Sequence, residues 1–173
     1  LHVELSDRFV DLVGEGFDLA IRIGHLEDSS LVARRLSDVP MVLVGAPILL
    51  AEYGTPTTPE DLVDIPFIHY ASERVIQRLK LQRGHEEPVQ VITQAKLSTN
   101  NDQMMVSFAR AGQGLILLPR FMVETDLEDG RLREVLPEYR LFPERKLYAV
   151  FPHGRHLPLK TRALIDFLID ELT

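Results

Sequence analysis

Ser98-Thr99-Asn100-Asn101-Asp102-Gln103, followed by Met104-Met105-Val106-Ser107-Phe108-Ala109-Arg110-Ala111-Gly112-Gln113-Gly114 and then Leu115-Ile116-Leu117-Leu118-Pro119, is the stretch that decides the fold. Four small polar residues ahead of a helical pattern read as an N-cap region, and Asn100 with Gln103 three positions on fits the capping-box spacing. Met104, Met105, Phe108 and Ala109 recur at helical spacing and predict one buried face. Gly112 and Gly114 supply a C-cap and a tight turn. The unbroken apolar run 115–118 predicts a parallel strand covered on both faces, and Pro119 stops it. A helix that starts at the carboxyl edge of a sheet presents N–H groups and a partial positive charge, so it binds anions without lysine or arginine. The plainer reading of the same residues is a cap that serves only its own helix.

Outward from this stretch, the pattern predicts strands over 2–5, 18–23, 41–45, 67–70, 89–92, 95–97, 132–136 and 146–151. Helical spacing predicts helices over 7–13, 47–53, 59–63, 75–81, 120–127 and 157–172. The last of these places Leu164, Ile165, Leu168 and Leu172 on one face. Segment 31–36 is apolar except for Arg34 and Arg35, and 83–88 is a charged turn. Segment 54–66, with Pro56, Pro59 and Pro66, is the candidate crossing into a second lobe. Strands alternating with helices at short spacing predict an α/β fold with mostly parallel sheets, two in number.

With 173 residues the chain holds one large or two small domains with a real core. A net charge of −7 argues against nucleic acid as a partner of this piece, since phosphate binding needs a basic face. The absence of cysteine excludes disulfides and thiolate metal sites and fits a reducing compartment. No apolar run approaches the roughly 20 residues of a membrane-spanning helix. The start at Leu1-His2 rather than Met gives the expectation of a fragment.

Catalytic signals are weak. His153 and His156 lie in a turn without acidic partners at ligand spacing, so neither a metal nor another cofactor is expected. There is no nucleophile elbow, phosphate loop or dinucleotide fingerprint. Gly112-Gln113-Gly114 follows a helix rather than a strand and reads as a turn. Arg34 and Arg35 could face an anion, but pairing with Asp38 or Glu27 accounts for them. What remains is a binding scaffold. Ser6, like Asn100, stands at a predicted strand end leading into a helix, and ligands of open α/β sheets sit at such ends.

Three runs strongly resemble the effector-binding domain of LysR-type transcriptional regulators: Leu5-Ser6-Asp7-Arg8, Asp11-Leu12-Val13-Gly14-Glu15-Gly16-Phe17-Asp18-Leu19-Ala20-Ile21-Arg22-Ile23-Gly24, and Asp28-Ser29-Ser30-Leu31-Val32-Ala33-Arg34-Arg35-Leu36. Ala46-Pro47, Tyr53-Gly54-Thr55-Pro56, Pro59-Glu60-Asp61-Leu62, Ala111-Gly112-Gln113-Gly114-Leu115-Ile116-Leu117-Leu118-Pro119, Gly130-Arg131-Leu132 and Val135-Leu136-Pro137 continue it in order over nearly the whole chain. The resemblance implies a periplasmic-binding-protein-like α/β fold: two lobes, 1–65 plus 152–173 and 66–151, joined by two crossover strands with a ligand cleft between them. It implies a cytoplasmic, non-enzymatic sensor that takes a small organic effector, often an acid. Such a sensor self-associates as a dimer, or as a tetramer in the full-length protein, and reaches DNA only through an N-terminal helix-turn-helix that this sequence lacks. The domain's first strand and helix are also missing against the family pattern. Carried over by position, Ser6, Asn100, Pro119 and Phe121 look like effector-binding residues, with Ser98, Thr99 and Asn101 beside them. A transporter's solute-binding protein is the alternative on the same fold, and a transferase or lyase a third.

Overall fold

The computed structural model describes residues 1–6, 10–24, 31–70, 76–152 and 157–172. In chain order these hold β1 (Ala20–Gly24), β2 (Leu31–Val39), β3 (Met41–Gly45), α1 (Pro47–Tyr53), a 3-10 helix (Pro59–Asp64), β4 (Phe67–Tyr70), β5 (Ile76–Arg83) and β6 (Val89–Thr99). There follow α2 (Asp102–Arg110), β7 (Ile116–Pro119), α3 (Arg120–Glu128), β8 (Arg133–Val135), β9 (Tyr139–Leu141), β10 (Arg145–Pro152) and α4 (Leu159–Leu172). Packing divides the chain into two compact units, Leu1–Val39 with Glu144–Thr173, and Pro40–Pro143. These cut the chain at other points than the lobes the resemblance implies.

The first unit is a three-stranded antiparallel sheet, β1-β10-β2, with α4 packed on β2. The β2–β10 register skips Leu36, and that bulged residue is buried with Ala149, Phe151 and Ile165. Arg34 pairs with Asp166 at 2.8 Å and Lys160 with Asp18 at 2.7 Å, tying α4 to the rest of the unit. Arg35 pairs with Asp38 at 2.6 Å, so neither arginine of this segment is held for an anion. The helix face differs by one turn from the expectation. Thr161 and Ile165 are buried and Leu168 and Ile169 partly so, whereas Leu172 is exposed.

Two expectations for this unit fail. Residues 1–6 form no strand, and Val3 and Leu5 are exposed; alternation alone makes no strand where no described strand pairs with it. Of the helix over 7–13, residues 7–9 lie outside the described residues. Residues 12–16 are a turn in which the Glu15 N–H donates to the Asp11 carbonyl. Glu27, His153 and His156 also lie outside the described residues.

The second unit carries sheets β7-β3-β8 and β4-β6-β5-β9. Only β4 with β6 is a parallel ladder; the other pairs are antiparallel, against the expectation of mostly parallel sheets. The run at 115–118 was expected to be parallel, and there only Leu115 pairs so, in a single bridge to Phe67. From Ile116 onward the strand runs antiparallel to β3, and it includes Pro119. A continuous apolar run reports burial on both faces, not strand direction, which explains the error. The expected helix over 75–81 is strand β5, in which Leu79 and Leu81 are buried and Arg78 and Lys80 exposed, a period of two. The expected strands over 89–92 and 95–97 are one strand, β6. β9 had no counterpart in the sequence reading.

Leu79, Leu81 and Val91 on the inner face of the larger sheet pack against Leu49 and Leu50 of α1 and Leu62 of the 3-10 helix. Val42, Val44, Ile68, Met105, Val106, Ala109, Ile116 and Leu118 form a second core around α2. Val106 takes the buried place expected of Met104, which is about half exposed.

Candidate functional site

β4, β6 and β7 run in one direction, through the β4–β6 ladder and the Phe67–Leu115 bridge. Their carboxyl ends, Tyr70, Thr99 and Pro119, therefore lie on one edge of the second unit. α2 starts at that edge three residues after Thr99, and α3 starts directly after Pro119. Two helix starts converge where an open α/β sheet takes its ligand. Ser98, Thr99, Asn100, Asn101, Pro119 and Phe121 all belong to this edge. Ser6 belongs to the other unit, exposed in the irregular segment 1–6.

The cap is shifted by one residue from the expectation. Asn101, not Asn100, is the N-cap of α2, and its Oδ1 accepts from the Met104 N–H at 2.9 Å. No capping box with Gln103 forms, because β6 runs on through Thr99 and the turn begins later. Thr99 Oγ1 accepts from the Asn101 N–H at 3.1 Å and fixes that turn. The exposed Asn100 amide is thereby released from capping. Gly112, at φ +71°, gives the expected left-handed turn after the helix.

α3 starts without a side-chain cap; the Arg120 N–H donates to the Pro40 carbonyl at 2.9 Å instead. The Arg120 guanidinium is engaged by Glu134. The cation that opens α3 is thus already neutralised. Pro119 is buried, while Phe121 is 62% exposed and offers an open ring at the start of α3. Tyr70, in register with Thr99, stands at the same edge without a motif to announce it. Behind it His69 is buried, with Nε2 and Thr93 Oγ1 3.0 Å apart.

The far ends of α2 and α3 are held by a buried carboxylate. Asp126 is 1% exposed and accepts two hydrogen bonds from Arg110, both 2.7 Å, and one contact from Arg131 at 3.0 Å. The Asp126 carboxylate holds the Arg110 guanidinium above its ordinary pKa. Among the described residues no group of His, Asp and Glu could hold a metal ion, and no helix is long and apolar enough to cross a membrane.

The model of the LysR substrate binding domain matches residues 1–173. The chain belongs to that family. It is similar to the HTH-type transcriptional activator AaeR of Escherichia coli (strain K12), at 35% identity covering 92% of this chain and 51% of the relative. It is likewise similar to the HTH-type transcriptional regulator PtxR of Pseudomonas aeruginosa, at 35% identity covering 96% of this chain and 53% of the relative. The chain spans about half the length of the curated relatives it matches. Among solved structures, full-length AphB, the virulence activator of Vibrio cholerae, aligns with a TM-score of 0.79 at 27% identity, covering 99% of this chain and 58% of that one. The regulatory domain of CrgA from Neisseria meningitidis aligns at 0.76 and 25% identity, covering 97% of this chain and 81% of that one. The mixed α/β fold is that of LysR-type regulatory domains, in the periplasmic-binding-protein-like class. The matched domain is the LysR substrate-binding domain and the relatives are HTH-type transcriptional regulators; the comparisons support that reading and not the transporter one.

Proposed function

We propose that this LysR substrate-binding domain senses a small organic acid, whose carboxylate is held at the carboxyl edge of the second unit. The observation that carries the reading is the exposed Asn100 amide between a strand end and the start of α2, with Thr99 and Asn101 fixing the turn on either side. A helix start favours an anion by about 0.3–1 kcal/mol, and each charge-assisted hydrogen bond adds about 1.5–3 kcal/mol before ordering costs. Those magnitudes suffice for a weakly held acid without a basic side chain, and Arg120 is already taken by Glu134. Phe121 supplies an open apolar ring for an aromatic or branched body, while Pro119, buried at the end of β7, enters like Ser6 through the family resemblance alone.

In the whole protein, the sensor would act through an N-terminal helix-turn-helix, as the HTH-type names of its relatives suggest, and through self-association. It works in the cytoplasm, without catalysis and without a cofactor. A panel of organic acids should raise the melting temperature of the protein, while the matching amides and alcohols leave it unchanged. Equal stabilisation by the neutral analogues would remove the carboxylate from the account.

A further inference from the structure

The second unit is electrically lopsided. The outer face of the β4-β6-β5-β9 sheet exposes Arg78, Lys80 and Arg140 among Gln90, Ile92 and Gln94. The alternation of the strands sets these side chains opposite the buried Leu79, Leu81, Val91 and Leu141. Register places Arg78 across from Ile92, Lys80 across from Gln90, and Arg140 across from Gln82. Arg78 and Lys80, two residues apart on β5, and Lys80 and Arg140, diagonal across β5 and β9, therefore stand within about 8 Å of one another. Among the described residues, none of the three is in an ion pair, and the strands β4, β5, β6 and β9 contain no carboxylate.

The layer covering the other side of the same sheet, α1 with the 3-10 helix, has the opposite character. It exposes Glu52, Glu60, Asp61 and Asp64, and the sequence has no lysine or arginine between Arg35 and Arg74. Asp61 is held in its ionised form because the Thr57 and Thr58 N–H groups donate to it, at 2.8 and 2.9 Å. Glu52, Glu60 and Asp64 carry no such internal duty and face water.

We infer that the cationic outer face of the β4-β6-β5-β9 sheet docks a second copy of this chain through that copy's acidic α1 and 3-10 layer. The two surfaces lie on opposite sides of one unit, so the contact is head-to-tail and differs from a two-fold dimer, which pairs one patch with itself. Charge complementarity between them favours another copy over a neutral partner. Exposed charges make the contact weak and salt-sensitive. The screening length falls from about 10 Å at 0.1 M salt to about 3 Å at 1 M, so association should weaken by about tenfold or more across that range.

Charge reversal on each surface, measured by sedimentation velocity at about 100 µM protein, tests the contact, a concentration at which a micromolar-class interface is populated. The R78E/K80E variant has two acidic surfaces and the E60K/D64K variant two basic ones; both should melt like the wild type, since none of these side chains packs in a core. Each variant alone should lose the salt-sensitive association of the wild type, and an equimolar mixture should regain it. Absence of salt-sensitive association in the wild type would overturn the proposal. So would retention of it in either variant, or a mixture that stays as dissociated as its parts. Binding of polyanions at Arg78 and Lys80 without self-association would give the face to another occupant and would equally refute it.

Discussion

Replacing Asp126 by alanine lowers the stability of the protein by about 3 kcal/mol, which moves the melting temperature by roughly 6–12 °C in a chain of this size. Removing one partner of a buried ion pair costs about 3–5 kcal/mol when the other charge is stranded away from water. Here the stranded partners, Arg110 and Arg131, are about half exposed and regain hydration, which places the cost at the lower end. Arg110 ends α2 and Asp126 lies in the last turns of α3, so the pair sets the two helices whose starts form the candidate site. Asp129, also paired with Arg131 but 54% exposed, is the contrast: its alanine variant should cost less than about 1 kcal/mol. Chemical denaturation checks both. Equal costs for the two positions would show that burial of Asp126 is not what gives its contacts their strength.

Gly114→Ala carries the second large effect, also about 3 kcal/mol. A Cβ at this position would lie 2.8 Å from the Pro66 carbonyl oxygen and 3.1 Å from the Phe67 carbonyl carbon. Both are backbone atoms, so no rotamer change relieves the clash. The only escape is to part the chain before β7 from the start of β4. That separation would break the bonds from the Leu115 N–H to the Pro66 carbonyl, 2.8 Å, and from the Ile68 N–H to the Leu115 carbonyl, 2.9 Å. Gly130 is the control. It has φ +70° and open space around it, so alanine there meets only the left-handed backbone penalty of about 1–2 kcal/mol. A Gly114 variant no less stable than the Gly130 variant in the same denaturation experiment would contradict the close approach.

Gly114 also shows where the sequence could and could not be read. Its importance was legible as glycine in a glycine-rich turn, but the reason was not: its constraint is a neighbour some fifty residues earlier in the chain, not a positive φ. Local punctuation carried well. Pro47 and Gly54 bracket α1 at the residues expected, and the short helix expected from Pro59 starts there. Pairing carried poorly. Val75, Ile76 and Leu79 have helical spacing while Leu79 and Leu81 alternate as in a strand, and only β6 and β9 beside β5 decide between the two. Tyr139-Arg140-Leu141 is too short to show a period at all. In the candidate site, polar residues before α2 marked a helix start at the carboxyl edge of the sheet, yet the cap fell one residue late. The length of β6 is fixed by its partners rather than by the cap residues themselves. Tyr70 reaches the edge only through register with Thr99, which no local pattern announces.

The shifted cap makes Asn100 the most direct probe of the account, because the residue that holds the helix start is Asn101. Affinity for the most strongly stabilising acid should be measured by titration calorimetry on the wild type and on Asn100→Ala, with thermal melts of both. The account predicts about a tenfold loss of affinity, the loss of roughly one charge-assisted hydrogen bond, with an unchanged melting temperature. Asn101→Ala, in contrast, should lower stability by about 1 kcal/mol. Unchanged affinity in Asn100→Ala, with the acid still bound, would contradict a carboxylate held at this edge.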